Sequence, residues 1–154
     1  MELAIREALG VGKEAVLMTN DIWDIPTFTV PKDAKDLTDL KHMIYLEELT
    51  MNAGPSGQLA VLGDLTNLKK LTVTNTIVTA EDLAAIGNLQ VLQELTLSNC
   101  GLYDISSLAN LAKLQQLDLQ ENVMYYDLFI NGKFDGRYLL KECIRRVEEV
   151  LYEL

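Results

Sequence analysis

The sequence predicts a short α/β solenoid, about four stacked units of strand plus helical turn, closed by a cap at each end. A set of apolar positions recurs in fixed register four times between residues 37 and 124. The chain on either side breaks that register and carries its own turn signals. With 154 residues, 49% hydrophobic and 23% charged, the chain suits one domain that can build a core and remain soluble.

Internal repeats are sought first, because missing them misassigns the whole fold. With Leu49, Leu71, Leu95 and Leu117 as origins, the units are 22, 24 and 22 residues apart. Two residues after each origin stand Met51, Val73, Leu97 and Leu119. Three before stand Leu46, Leu68, Leu92 and Leu114; six before, Met43, Leu65, Leu89 and Leu111. Nine before stand Leu40, Leu62, Ile86 and Leu108; twelve before, Leu37, Leu59, Leu83 and Ile105. All six positions are apolar in all four copies, which chance does not produce.

The apolar–x–apolar piece has period 2 and reads as a short strand with both apolar residues on one face. The residues before it are apolar every third position, which suits a 3₁₀ or helical turn on the opposite wall. Each unit then has an apolar interior that only its neighbours can bury. Burial of a Leu, Ile or Val side chain contributes roughly 1.5–3 kcal/mol. Six such positions per unit offset the ordering entropy only in a stack. The second repeat carries two extra residues near Ala80-Glu81-Asp82, read as a longer turn or a helix.

The spacing resembles the leucine-rich repeat, L-x-x-L-x-L-x-x-N/C-x-L. The third copy reads Leu92, Leu95, Leu97, Cys100, Leu102, and the fourth Leu114, Leu117, Leu119, Asn122, Met124. The resemblance implies that the Asn or Cys side chain bonds backbone as the chain leaves the strand. Thr76 holds that place in the second copy as a weaker substitute, and the first departs most, with Gly54, Pro55 and Ser56 at the corner. The stretch from Asp104 to Leu111 resembles the short bacterial class of internalin-like proteins. The resemblance covers Leu37 to Met124. The repeats are expected at 37–58, 59–82, 83–104 and 105–124, between an N-terminal cap at 1–36 and a C-terminal cap at 125–154, all in one structural domain.

Solenoids need polar-faced caps. At the front, Leu3, Ile5, Ala8 and Leu9 precede Gly10, a short helix with a glycine stop. Thr27-Phe28-Thr29-Val30 alternates like a strand before Pro31. The resemblance to internalin-like caps puts Trp23 under the solenoid end as a plug. At the back, the segment around Asn131-Gly132 reads as a hairpin. Asp135 is expected to N-cap a helix to Leu154. Its stripe of Leu140, Cys143, Ile144, Val147, Leu151 and Leu154 is expected to pack on the last repeat.

The net charge of −10 argues against nucleic acid and anionic membrane as partners. No apolar run is long enough for a membrane helix. The N-terminal residues are too charged for a secretory signal, and two cysteines, Cys100 and Cys143, favour a reducing compartment. A cytoplasmic protein is expected; a secreted or cell-surface one is the alternative if a signal was removed. His42 is the only histidine and stands between apolar positions, where solvent is expected. Gly10-Val11-Gly12-Lys13 is followed by Glu14 and lacks the rest of a phosphate loop. Both cysteines read as packed small residues, and no calcium loop is present. No catalytic, metal or cofactor residue is nominated, so the expectation is a non-enzyme without cofactor.

The resemblance implies recognition on the concave strand face. The solvent-facing positions there are Glu48, Lys70, Glu94 and Gln116 before the origins and Thr50, Thr72, Thr96 and Asp118 after them. Asn52, Thr74, Ser98 and Gln120 stand three after. The face lacks Trp, Tyr and Arg, the residues that usually dominate binding energy, and threonine rows also suit a merely solvated sheet. Tyr125 and Tyr126, past the fourth repeat, cover the core or anchor a ligand. Residues 37–124 hold ten acidic and four basic residues, a net of −6, which favours a basic partner. The expectation is a protein–protein interaction module, monomer or weak homodimer, binding a protein or peptide. The alternative is a structural or self-associating scaffold acting through the C-terminal helix.

Overall fold

The computed structural model describes residues 1–122, together with the backbone of 125–130 and 133–139. Five strands form one parallel sheet in chain order: β1 Thr27–Val30, β2 Glu48–Asn52, β3 Lys70–Thr74, β4 Glu94–Ser98 and β5 Gln116–Asp118. The origins lie on one rung, Leu49 opposite Leu71, Leu71 opposite Leu95, and Leu95 opposite Leu117. Short 3₁₀ turns at Thr38–His42, Leu59–Asp64 and Ser106–Asn110 form the opposite wall. This is the α/β leucine-rich-repeat solenoid that the periodicity predicts.

The three-residue period has a direct cause. Leu40 N donates to Leu37 O, Met43 N to Leu40 O and Leu46 N to Met43 O, each at 2.9 Å. Successive i→i+3 bonds turn the chain by about one revolution per three residues, so every third side chain points inward. The eighteen inward residues of the first three repeats are each 3% exposed or less. The fourth repeat differs. Its Leu117 is 45% exposed, where Leu49, Leu71 and Leu95 are at most 1%. Among the described residues β5 is the last strand of the parallel sheet, so only one side of Leu117 meets a neighbouring repeat there.

The insert in the second repeat becomes α2, Ala80–Gly87, in place of a 3₁₀ turn. Thr79 caps it: its Oγ1 accepts from Asp82 N at 3.2 Å, and Asp82 Oδ2 accepts from Thr79 N at 3.0 Å. The other oxygen of Asp82 accepts from Leu59 N at 2.7 Å and Ala60 N at 3.2 Å in the preceding repeat. One buried carboxylate thus caps two consecutive turns. Gln58 holds the same place one repeat earlier, accepting from Leu37 N and donating to Lys35 O, both at 3.1 Å. Gly87 is required by contact, because a Cβ there would stand 2.2 Å from Ser107 O.

At the N-terminus, α1 (Glu2–Leu9) stops at Gly10, whose φ of 66° lies in the left-handed region. β1 pairs with β2 in the repeat register, Phe28 opposite Leu49 and Val30 opposite Met51. Ile22 and Ile25 are buried at the positions six and three before Phe28, so the cap ends in a degenerate extra repeat. Trp23 does not plug the end and is 42% exposed. It stands five before Phe28, a place that faces outward, as Ile44 does before Leu49; Ile5, Ile22, Ile25 and Phe28 fill the end instead.

At the C-terminus the hairpin is present, with β6 Tyr125–Ile130 antiparallel to β7 Lys133–Leu139. Asp135 lies within β7, opposite the run from Leu128 to Phe129, and is no helix N-cap. The backbone register of the two strands runs through it, with Asp127 opposite Arg137 and Tyr125 opposite Leu139. The apolar stripe from Leu140 to Leu154 lies outside the described residues, as do the side chains of Tyr125 and Tyr126.

Replacing Asp82 by Ala leaves the buried amide of Leu59 and the half-buried amide of Thr79 without their acceptor. A loss of roughly 2–4 kcal/mol is expected in urea unfolding at neutral pH, without loss of the parallel-sheet circular dichroism.

Candidate binding surface

The strand face presents the predicted residues in three columns. Glu48, Lys70, Glu94 and Gln116 share one rung line. Thr50, Thr72, Thr96 and Asp118 share the next, and Asn52, Thr74 and Ser98 share the third. Gln120 follows the end of β5 and is exposed. All twelve are exposed or half-buried. Sequence reasoning missed Thr27 and Thr29, which pair with Glu48 and Thr50 and extend two columns by one strand. Their signal was the spacing of Ile22, Ile25, Phe28 and Val30, which repeats the unit.

Charge on this face is partly internal. Lys70 Nζ lies 2.5 Å from Glu94 Oε2, and Lys69 Nζ lies 2.7 Å from Glu47 Oε1. The carboxylate of Glu94 pushes the Lys70 pKa up. Both pairs run along the stack and link adjacent repeats.

As each strand ends, a ladder of polar groups ties its corner to the next. Asn122 Oδ1 accepts from Cys100 N at 2.9 Å and Leu102 N at 3.2 Å, while its Nδ2 donates to Leu97 O and to Leu119 O. Cys100 Sγ contacts Val73 O at 3.3 Å, and Thr76 Oγ1 donates to Gly54 O at 2.8 Å. Gly54 fills the same position in the first repeat, because a Cβ there would meet Met51 Sδ at 2.3 Å. One residue earlier in each corner, Ala53, Asn75, Asn99 and Glu121 all have φ between 52° and 60°. Two of the four are Asn, which tolerates this region best among non-glycine residues. Asn75 Nδ2 donates to Asn52 Oδ1 and Asn99 Nδ2 to Asn75 Oδ1, both at 2.9 Å.

Grooves lie away from this face. One of about 480 Å³ at the N-terminal cap is lined by residues including Glu2, Arg6, Asp39 and His42. Arg6 is committed there: it donates to Glu2 Oε1, to Gly12 O at 2.8 Å and to Ala15 O at 2.9 Å, pinning the loop after α1. A recess of about 80 Å³ lies between α2 and Tyr103. Among the described residues, no three His, Cys, Asp or Glu are grouped to hold a metal ion, and no buried side-chain N or O lacks a hydrogen-bond partner. No described helix is long and apolar enough to cross a membrane.

Strand register, 3₁₀ wall and corner ladder together define a leucine-rich-repeat protein. Among solved structures, it is similar to an internalin (inlF) from Listeria monocytogenes, with a TM-score of 0.69 and 28% identity over 79% of this chain and 36% of that one. A second internalin of that organism matches at TM-score 0.48 and 20% identity over 80% of this chain and 74% of that one. No protein-family model and no curated protein matches the chain. The chain thus has a leucine-rich-repeat fold similar to that of the first internalin and spans about a third of its length.

Two outcomes follow from the corner geometry. Ala53→Asn places a residue that tolerates left-handed backbone where Ala is strained, and should raise unfolding free energy by about 0.5–1 kcal/mol in thermal melts. Burial pushes the Cys100 thiol pKa above its ordinary value. In a Cys143→Ser variant, Cys100 should therefore resist a thiol reagent at pH 8 until denaturant unfolds the chain.

Proposed function

We propose that this protein is a non-catalytic interaction module that binds a protein or peptide partner on its concave strand face. The observation that carries the reading is the unbroken polar face, five strands wide and in register from Thr29 through Thr50, Thr72 and Thr96 to Asp118. A rigid sheet with outward side chains in fixed columns presents a pre-organised surface, and pre-organisation lowers the entropic cost of association. The internalin-like fold supports an interaction role in general. The non-catalytic reading is supported by where the polar groups are used: Asp82, Gln58, Asn122 and Arg6 all bond backbone of their own chain.

The test is affinity capture from source-cell lysate with the wild-type chain and a Thr72→Arg/Thr96→Arg variant as baits. A specific protein held by wild type and lost by the variant is the expected result. The same prey on both baits overturns the strand-face assignment, and no specific prey on either overturns the interaction reading.

The scaffold alternative has one observation in its favour, the exposed Leu117 at the last parallel strand, which a second copy would cover. Light scattering after gel filtration separates the two: a mass of one chain across concentration rules the scaffold out.

A further inference from the structure

We infer that the rim at the first two turns of the solenoid, formed by Trp23, Ile44 and Tyr45, docks an extended basic segment of a partner protein. The inference rests on the interaction-module reading; the rim adjoins the strand face and shares only Glu48 with it.

The rim sits where two chain segments run side by side. Tyr45 N donates to Trp23 O at 3.2 Å, and the amides of Glu47 and Glu48 both donate to Pro26 O at 2.8 and 3.0 Å. The stretches 23–26 and 45–48 are therefore locked together. Within them Ile25 and Leu46 point into the core, while Trp23, Ile44 and Tyr45 face solvent at 42%, 38% and 54% exposure. Trp23 and Ile44 occupy the same repeat position, five before the strand's first inward residue, and Tyr45 follows directly. The Tyr45 N to Trp23 O bond holds the two segments side by side, which places these exposed side chains on neighbouring segments at one edge of the solenoid.

Large aromatic residues at these positions are confined to the first two turns. The place of Tyr45 is taken by Asn67, Val91 and Lys113 in the later repeats, and that of Trp23 and Ile44 by Thr66, Gln90 and Ala112. The solenoid therefore does not need an aromatic or branched residue there, and the core is complete without these three. Scattered exposed apolar residues need no explanation, but a group on neighbouring segments that includes Trp and Tyr has the composition of a binding hot spot.

Charge selects the partner. Asp24 follows Trp23 and is exposed, and Glu48 lies exposed at the start of β2. Asp24 forms no ion pair with another described residue; Glu48 stands opposite Lys70 on β3, whose ammonium is paired with Glu94, and Glu47 is held by Lys69. An Arg or Lys stem can lie over the Trp23 or Tyr45 ring while its charge meets Asp24 or Glu48. This combines cation–π attraction with charge complementarity. The chain's net charge of −10 steers such a segment toward it.

Trp23 is the only tryptophan, so its emission reports the patch directly. The full chain is titrated with a short peptide of alternating arginine and glycine, and separately with one of alternating glutamate and glycine. Saturable quenching by the arginine peptide alone is expected. It should weaken about tenfold or more in Asp24→Lys/Glu48→Lys, a loss of about 1.4 kcal/mol. It should be unchanged in Asp64→Lys/Glu81→Lys, which makes the same charge change at exposed sites on the opposite wall. No quenching, equal quenching by both peptides, or equal weakening in both double variants overturns the proposal. If a lysate partner is lost by the Thr72→Arg/Thr96→Arg bait but held by Asp24→Lys/Glu48→Lys, the rim assignment fails while the function reading stands.

Discussion

The side chains at the six inward positions of each repeat have too few partners within their own turn to be buried. Leu71 is covered because Leu49 stands on one side of it and Leu95 on the other, in strict rung-to-rung register. Everything else in the molecule depends on that lateral contact. It requires units of nearly constant length, because a one-residue slip would turn every inward Leu to solvent. It also requires the opposite wall to advance three residues per turn, which the chained i→i+3 bonds from Leu37 to Leu46 accomplish.

Stacking of apolar residues is non-directional, so on its own it would not hold the register. Polar groups supply direction. Asp82 and Gln58 each reach back to amides of the preceding turn on the wall side. Asn122, Cys100 and Thr76 reach across at the corners, and the Lys70–Glu94 and Lys69–Glu47 pairs tie the strands from outside. The exposed ion pairs contribute little energy each. The buried amide caps matter more, because an unmet buried amide costs about 1–3 kcal/mol. With the register held at both edges of every strand, the outward columns of the sheet are equally fixed. That links the packing to the function proposed for the strand face.

Much of this was legible in the sequence because periodicity records burial directly. The inward positions from Leu37 to Leu97 and the strand phase follow from spacing, and the Asn122/Cys100 corner from the resemblance to the leucine-rich repeat. What spacing did not reveal has identifiable causes. The strand at Phe28 was assigned to the cap because its unit lacks the Leu at the two earliest inward positions, although Ile22 and Ile25 keep the later ones. Trp23 was expected as a plug from the resemblance to internalin-like caps, while its repeat position faces outward. Asp135 suggested a helix cap, but the strand pairing begun at Tyr125 extends past it. The left-handed corners at Ala53 and Glu121 carry residues that do not advertise that conformation. The double role of Asp82 depends on a neighbour 23 residues away, which no local pattern encodes. The outward columns were legible as positions, while the rim at Trp23, Ile44 and Tyr45 emerged only once two chain segments were seen side by side.

Each repeat is stabilised by its neighbours rather than by its own turn. The most direct measurement compares Leu71→Ala with Leu117→Ala by urea denaturation. The two residues occupy the same repeat position with the same chemistry, but one is enclosed and the other is 45% exposed. The Leu71 variant should lose roughly 2–5 kcal/mol, the range for a fully buried Leu truncated to Ala. The Leu117 variant should lose less than half as much. Equal losses at the two sites would show that stability is set within each unit, and would contradict the account.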